Sequence, residues 1–260
     1  AQSNTQMTDL LEKSVFEMLV QDVDKDHYVP LTQQHRMPAS IAAFVSQHFY
    51  EGRLETVGRH AVKGSAYQDP LFNKPFVFID TRLMAPHVRT DRKQGNRNSE
   101  ADGSRSYTND AEAKLITDLV EVYIKQGREW VVIVPYKGQA QLIREKLQQN
   151  VGEEYDLNLD SCVSTVDTFQ GGERDVVIYG FTRSNKYHAI GFLKELRRLN
   201  VALTRAKEQL VMVGDSETLT EASDRSFSKL ARAMLQHAHE HGELLNFRDC
   251  QSRIIRRGRI

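Results

Sequence analysis

Three short clusters in this sequence combine cations, carboxylates, hydroxyls and glycines in ways that suit contact with phosphate and ribose. In Gln34-His35-Arg36-Met37 an arginine is fixed between a turn restricted by Pro30 and Pro38 and the start of a helix. A surface or capping arginine would look the same. Ser164 to Asp175 joins two apolar runs through Gly171 and Gly172, and glycine lets backbone pass close to a ligand. Hydroxyls and amides there can hold phosphate oxygens, and a carboxylate such as Glu173 suits a ribose hydroxyl. A tight turn capped by Asp167 and Asp175 is the plainer reading. In Arg197 to Lys207, helical spacing turns Leu199, Ala202 and Leu203 toward a core and leaves Arg198, Asn200 and Arg205 outside the apolar stripe. A solvated helix face accounts for that pattern too.

The elements that must carry these clusters alternate between helix and strand. An amphipathic helix is predicted over residues 8–20 behind Thr8, and a second carries Ile41, Phe44, Val45, His48 and Phe49 and ends near Gly52. Phe76 to Ile79 reads as a short buried strand, and the net-basic stretch 82–105 as a loop. Asn109 and Glu112 form a capping box that opens a helix, and Gly127 closes it. Then come strand Trp130 to Val134, helix 138–149, strands Cys162 to Val166 and Val176 to Phe181, helix 196–206 and strand Leu210 to Val213. A helix over 226–240 leads into a basic tail holding Arg253, Arg256, Arg257 and Arg259, read as flexible or as a linker. Continuous apolar strands separated by helices indicate a parallel sheet covered on both faces, an α/β doubly wound layout. The three clusters then fall at or just beyond strand ends, where such sheets present ligand-binding loops.

Bulk composition narrows the field. With 40% hydrophobic residues the chain can bury an ordinary core, and its 35 Lys and Arg balance 35 Asp and Glu, so attraction to a polyanion must come from local patches. Two cysteines, Cys162 and Cys250, are too few for a disulfide framework or a closed zinc site. The sequence has no apolar run of the roughly 18 residues a membrane span needs, and its polar start is not a signal peptide. An intracellular address is expected, cytoplasmic or, in a eukaryote, nuclear. His237, His239 and His241 read as a solvated helix end rather than a metal site.

Taken in order, these segments closely resemble the later motifs of superfamily 1 helicases, in the branch of RNA-surveillance helicases and eukaryotic-type replication nuclease-helicases. Ser14-Val15-Phe16-Glu17 is similar to that family's lead-in to its second domain, and Gln34-His35-Arg36-Met37-Pro38 to its Gln-Tyr-Arg-Met motif. Phe49 to Leu54 resembles the segment after it, and Ser106 to Asn109 with Glu112-Ala113 follows the pattern. Ile133 to Gln139 is similar to motif IV, Thr165 to Asp175 to motif V, and Arg198 to Lys207 to motif VI. The resemblance covers most of the chain.

It implies a RecA-like, P-loop-NTPase-type sheet that lacks its own P-loop. Residues 1–30 would be a lead-in helix and linker, 31–215 the second RecA-like domain with its basic loop at 82–105, and 216–260 a C-terminal helix and basic tail. ATP with Mg2+ is the implied cofactor, Arg36 and Arg205 the implied arginine fingers, and Gln34, His35, Gly172 and Glu173 their companions around the nucleotide. Pro135, Tyr136 and Thr165 would hold single-stranded DNA or RNA, with Gln170 linking that strand to the nucleotide. The implied partner is a preceding RecA-like domain of the same polypeptide, in a monomeric protein. Two departures stand out. His35 replaces a tyrosine that commonly stacks on adenine, which puts nucleotide selectivity in doubt, and Gly172 replaces a residue that is often basic.

No Gly-Lys dipeptide and no Asp-Glu pair occurs in the chain, so the phosphate cradle and the magnesium carboxylates are expected elsewhere, and the isolated chain is expected to be inactive as an ATPase. A noncatalytic nucleic-acid-binding or regulatory module with the same fold is the competing reading. A nuclease needs clustered carboxylates with a lysine around metal ions, and no such spacing is found.

Overall fold

In the computed structural model, residues 32–58, 67–94, 106–151, 157–169 and 172–257 are described. The predicted helix over 8–20, the Ser14 to Glu17 match and Gln170 lie outside them. In chain order the elements are β1 (Gln33–Gln34), α1 (Ala39–Phe49), β2 (Glu55–Thr56), β3 (Phe76–Asp80), α2 (Pro86–Arg89), β4 (Arg92–Gln94), β5 (Ser106–Thr108) and α3 (Asp110–Lys125). They continue with β6 (Trp130–Val134), α4 (Lys137–Val151), α5 (Leu159–Cys162), β7 (Val163–Thr165), β8 (Arg174–Gly180), a 3-10 turn (Gly191–Lys194) and α6 (Leu196–Leu203). The chain closes with β9 (Ala206–Gly214), α7 (Ser216–Thr220), α8 (Arg225–His241), β10 (Glu243–Asn246) and α9 (Phe247–Arg257).

Six strands form one parallel sheet in the order β10-β3-β9-β8-β6-β7. Successive side chains of a strand point to opposite faces, so a strand covered on both sides must be apolar throughout. β6 obeys this: Val131 and Ile133 enter the core under α1, α6 and α8, while Val132 and Val134 enter the one under α3, α4 and α9. Phe76 and Phe78 divide from Val77 and Ile79 in the same way. The expected α/β, mostly parallel, doubly covered architecture is the one observed. Among the described residues, no helix is long and apolar enough to cross a membrane.

Local chemistry sets the element ends. Asn109 caps α3, its side chain accepting the N–H of Glu112 at 3.0 Å, and Gly127 at φ 62° ends it in a left-handed turn. The capping box is nevertheless half formed. The N–H of Asn109 donates to Gln139 Oε1 at 2.7 Å, and the Glu112 carboxylate reaches instead into the sheet edge. Asp215 and Asp224 cap α7 and α8 by the same side-chain chemistry.

Three sequence expectations are corrected. The stretch 82–105 is not simply a loop: α2 and β4 occupy its described part, β4 pairs antiparallel with β5 just beyond it, and Arg89 is ion-paired to both Asp215 and Glu217. The C-terminal tail is not flexible through Arg257, because β10 extends the main sheet beside β3 and α9 buries Cys250. Arg253 within it donates to Glu243 at 3.1 Å and to the carbonyl of Leu71 at 3.0 Å. His237 is no solvated end either: its Nε2 lies 2.8 Å from the carbonyl oxygen of Ser40, and its ring packs 4.7 Å from that of Phe76.

Candidate functional site

The sheet presents two edges, and the singled-out residues divide between them. At the amino edge, where β8 and β9 begin, the first, second and third sequence clusters meet. This corrects the expectation that all three lie in loops following strands: Glu173 immediately precedes β8, and Arg205 immediately precedes β9. Those two starts are held side by side by the N–H of Arg174 donating to the carbonyl of Arg205 at 3.1 Å.

Arg36 is aimed at this edge by a turn that Gln34 builds. The Gln34 amide donates to the carbonyl of Met37 at 3.0 Å and to Thr56 Oγ1 at 2.8 Å, and its oxygen accepts from the N–H groups of Arg36 and Met37 at 3.1 and 2.7 Å. A primary amide has two donors and two acceptor lone pairs, so nothing is left over for a ligand. Gln34 therefore shapes the turn rather than facing the site. The guanidinium of Arg36 then reaches Glu173, Nε to Oε2 at 2.6 Å, and donates through Nη1 to the carbonyl of Thr204 at 3.0 Å. Arg205 approaches the carbonyl of Gly172 at 3.4 Å, and its buried Nε has no partner among the described residues.

A second guanidinium, that of Arg205, thus lies within electrostatic reach of the Arg36–Glu173 pair. Burial, and then the nearby charge of Arg36, lower the pKa of Arg205. An oxyanion placed here would relieve the repulsion and satisfy the orphaned donor, so the residues fit a phosphate. Arg36 and Glu173 are 38% and 48% exposed at their side chains, so their ion pair contributes little to stability and can be exchanged for a ligand. His35 is exposed, beside Gly58 at φ 75°. Gly172 lies so close over the Phe169 ring that a Cβ would stand 2.9 Å from it.

At the carboxyl edge stand Pro135, Tyr136 and Thr165, just past β6 and at the end of β7. The side chain of Tyr136 is 2% exposed, and its hydroxyl donates to the carbonyl of Ile190 at 3.2 Å and accepts from the N–H of Phe192 at 3.3 Å. Thr165 Oγ1 is bonded to Thr168 Oγ1 at 2.6 Å. Pro135 lines a small crevice with Asp167, Phe192 and Arg198. α6 runs between the two edges: Arg198 near its start pairs with Asp167 at 3.1 Å, and Thr204 at its end holds Arg36.

Sequence reasoning missed the polar frame of this edge. Glu112, fully buried, accepts the N–H of Thr182 at 2.9 and 2.8 Å and that of the Gln139 amide at 3.2 Å. Burial pushes its carboxyl up to about 8. Thr182 sits at φ 67°, a conformation a β-branched residue rarely adopts, and the Glu112 bonds help to hold it there. Arg183 and Asp91 form an ion pair at 2.9 Å with side chains only 5% and 6% exposed, and Arg183 stacks 3.8 Å above the Tyr107 ring. The signal was the pair Glu112 and Gln139 inside matched motifs, read for spacing rather than for partners.

A parallel α/β sheet with helices on both faces is the architecture of a RecA-like domain. A protein-family model, the AAA domain AAA_12, matches residues 11–217. The chain belongs to that family, as a C-terminal RecA-like domain of superfamily 1 helicases. The regulator of nonsense transcripts 1 homolog of Arabidopsis thaliana is 34% identical over 237 residues, covering 89% of this chain and 17% of the relative. The ATP-dependent helicase NAM7 of Saccharomyces cerevisiae is 33% identical over 260 residues, covering 95% and 24%. The DNA polymerase alpha-associated DNA helicase A of Schizosaccharomyces pombe is 33% identical over 221 residues, covering 81% and 31%. The chain thus spans less than a third of the length of these relatives.

Proposed function

We propose that this chain is the second motor domain of an ATP-dependent superfamily 1 helicase or translocase, supplying arginine fingers for ATP hydrolysis and half of a single-strand track. The observation that supports it best is the meeting of Arg36, Glu173 and Arg205 at one edge, from positions 137 residues apart in the case of the Arg36–Glu173 bond. In phosphoryl transfer, charge builds on the γ-phosphate oxygens, and fixed cations lower that barrier. In this reading the P-loop and magnesium ligands lie on a preceding RecA-like domain, and the nucleotide is held in the cleft between the two. Magnesium held there would offset the charge of the phosphates. Arg36 and Arg205 face the γ-phosphate, Glu173 exchanges its bond to Arg36 for the ribose or its surroundings, and exposed His35 flanks the base.

At the carboxyl edge, the backbone around Pro135 and Tyr136, with Thr165, contacts the phosphates of a single strand, which makes binding largely indifferent to sequence, and Gln170 links that strand to the nucleotide. α6 joins the two edges, so closure on the nucleotide is felt at the strand. The test is ATP turnover by the full-length protein with and without single-stranded DNA and RNA, beside the isolated 260 residues. Strand-stimulated turnover in the full-length protein alone is the expected result. Turnover by neither would favour a noncatalytic module.

A further inference from the structure

Beyond Tyr136 the carboxyl edge opens into a groove of about 690 Å³ that the phosphate track does not use, lined by Tyr107, Tyr136, Arg183, Gly191, Phe192 and Lys194 among others. Three aromatic rings follow one another along it: Tyr107 to Tyr136 at 5.3 Å, and Tyr136 to Phe192 at 5.7 Å. They differ in what they leave open. Tyr136 is buried, and Tyr107 is covered by the Arg183 guanidinium, whereas Phe192 is 39% exposed.

The backbone around Phe192 is built to hold that ring outward. Gly191 at φ 57° brings the chain so close to Tyr136 that a Cβ would stand 2.5 Å from the phenol oxygen, and the N–H of Phe192 donates to the same oxygen. Asn185 staples the preceding loop, donating to the carbonyl of Ala189 and accepting its N–H, each at 3.0 Å. Phe192 also lines the crevice that contains Pro135 and Asp167, so its ring stands on the rim between the strand track and the groove. Exposed Lys194 lies two residues on. Arg183 is committed to Asp91 and Tyr107 and is not placed to take a phosphate.

We infer that Phe192 is a stacking platform for one base of the bound single strand, splayed from the phosphate track into this groove. The inference rests on the strand-track reading above and adds a base contact to it. An aromatic face accepts any base, so the contact strengthens binding without reading sequence. It adds no charge contact, so it leaves the salt dependence of binding alone.

The test is the affinity of the full-length protein for a fluorescent single-stranded oligonucleotide and for the same strand made entirely of abasic residues. Both are titrated against wild type, Phe192→Ala and Phe192→Trp at several salt concentrations. The expected result is on the order of ten-fold weaker binding of the ordinary strand by Phe192→Ala. Phe192→Trp should restore it, the salt slope should stay the same for all three proteins, and the abasic strand should be bound equally by all three. Equal binding of the ordinary strand by wild type and Phe192→Ala overturns the inference while leaving the track intact, and frees the groove for a protein partner. Wild type binding neither strand removes the track itself and the inference with it.

Discussion

Glu112 and Thr182, 70 residues apart, are joined by two hydrogen bonds from one N–H to both carboxylate oxygens, inside a buried site. The pairing ties α3 to the turn after β8 and fixes the carboxyl edge from beneath. Burial favours the neutral form of the acid, so its folded pKa, about 8, stands above the ordinary 4.5. A group whose proton is held more tightly in the folded state stabilises most at low pH and loses that contribution as pH rises from its unfolded to its folded pKa. Raising the pH from 5 to 8 should therefore lower the Tm of wild type more than that of Glu112→Gln. Parallel Tm profiles in calorimetry would show that Glu112 is not the buried titrating acid described here.

The histidines between α1 and α8 act in the opposite direction. Burial and then Lys229 lower the pKa of His48, and burial lowers that of His237 against the Ser40 carbonyl, with His241 and His48 adding to the effect and Glu240 opposing it. A lowered folded pKa means stability present above the unfolded value of 6.5 and lost as pH falls through the folded one. His237→Phe should flatten the loss of thermal stability between pH 7 and pH 5 relative to wild type. An unchanged acid slope would place the loss elsewhere.

Gly242 caps α8 and leads into β10 against the backbone of Phe76, and a Cβ there would run into the Phe76 carbonyl oxygen. Backbone cannot rotate away as a side chain can. Gly242→Ala should destabilise the domain by about 3 kcal/mol, at the upper end of the overpacking range, read from urea denaturation. A change within error would mean that β10 is not held against β3 as described.

The Asp91–Arg183 pair is almost completely removed from water. Removing one partner strands a buried charge, so Asp91→Ala should cost about 3–5 kcal/mol, whereas exposed pairs such as Lys114–Asp118 should be worth a few tenths. Denaturation of Asp91→Ala beside Lys114→Ala checks the contrast.

Legibility followed chemistry that is local in sequence. β6 could be read because all five of its residues are apolar, and α3 because a cap and a left-handed glycine bracket it. β10 could not, since Glu243-Leu244-Leu245-Asn246 is short, mixed and placed at the sheet border, where it resembles a helix end. The 82–105 stretch hid its order because Arg89 and Asp91 find their partners more than 90 residues away. At the candidate site the residue types of Arg36, Glu173 and Arg205 were visible, but their common edge was not. That edge depends on strand order, which brings the starts of β8 and β9 together. The turn that Gln34 builds was hidden for a related reason, since its four amide bonds, three within its own turn and one to Thr56, are not visible in spacing.

The central claim is that Arg36 and Arg205 act on the γ-phosphate, and it is tested most directly by strand-stimulated ATP hydrolysis in full-length Arg36→Ala and Arg205→Ala, with single-strand affinity measured in parallel. The account expects turnover to fall on the order of 10³-fold or more in each, with strand affinity within a few-fold of wild type. Hydrolysis at the wild-type rate in either variant would contradict it.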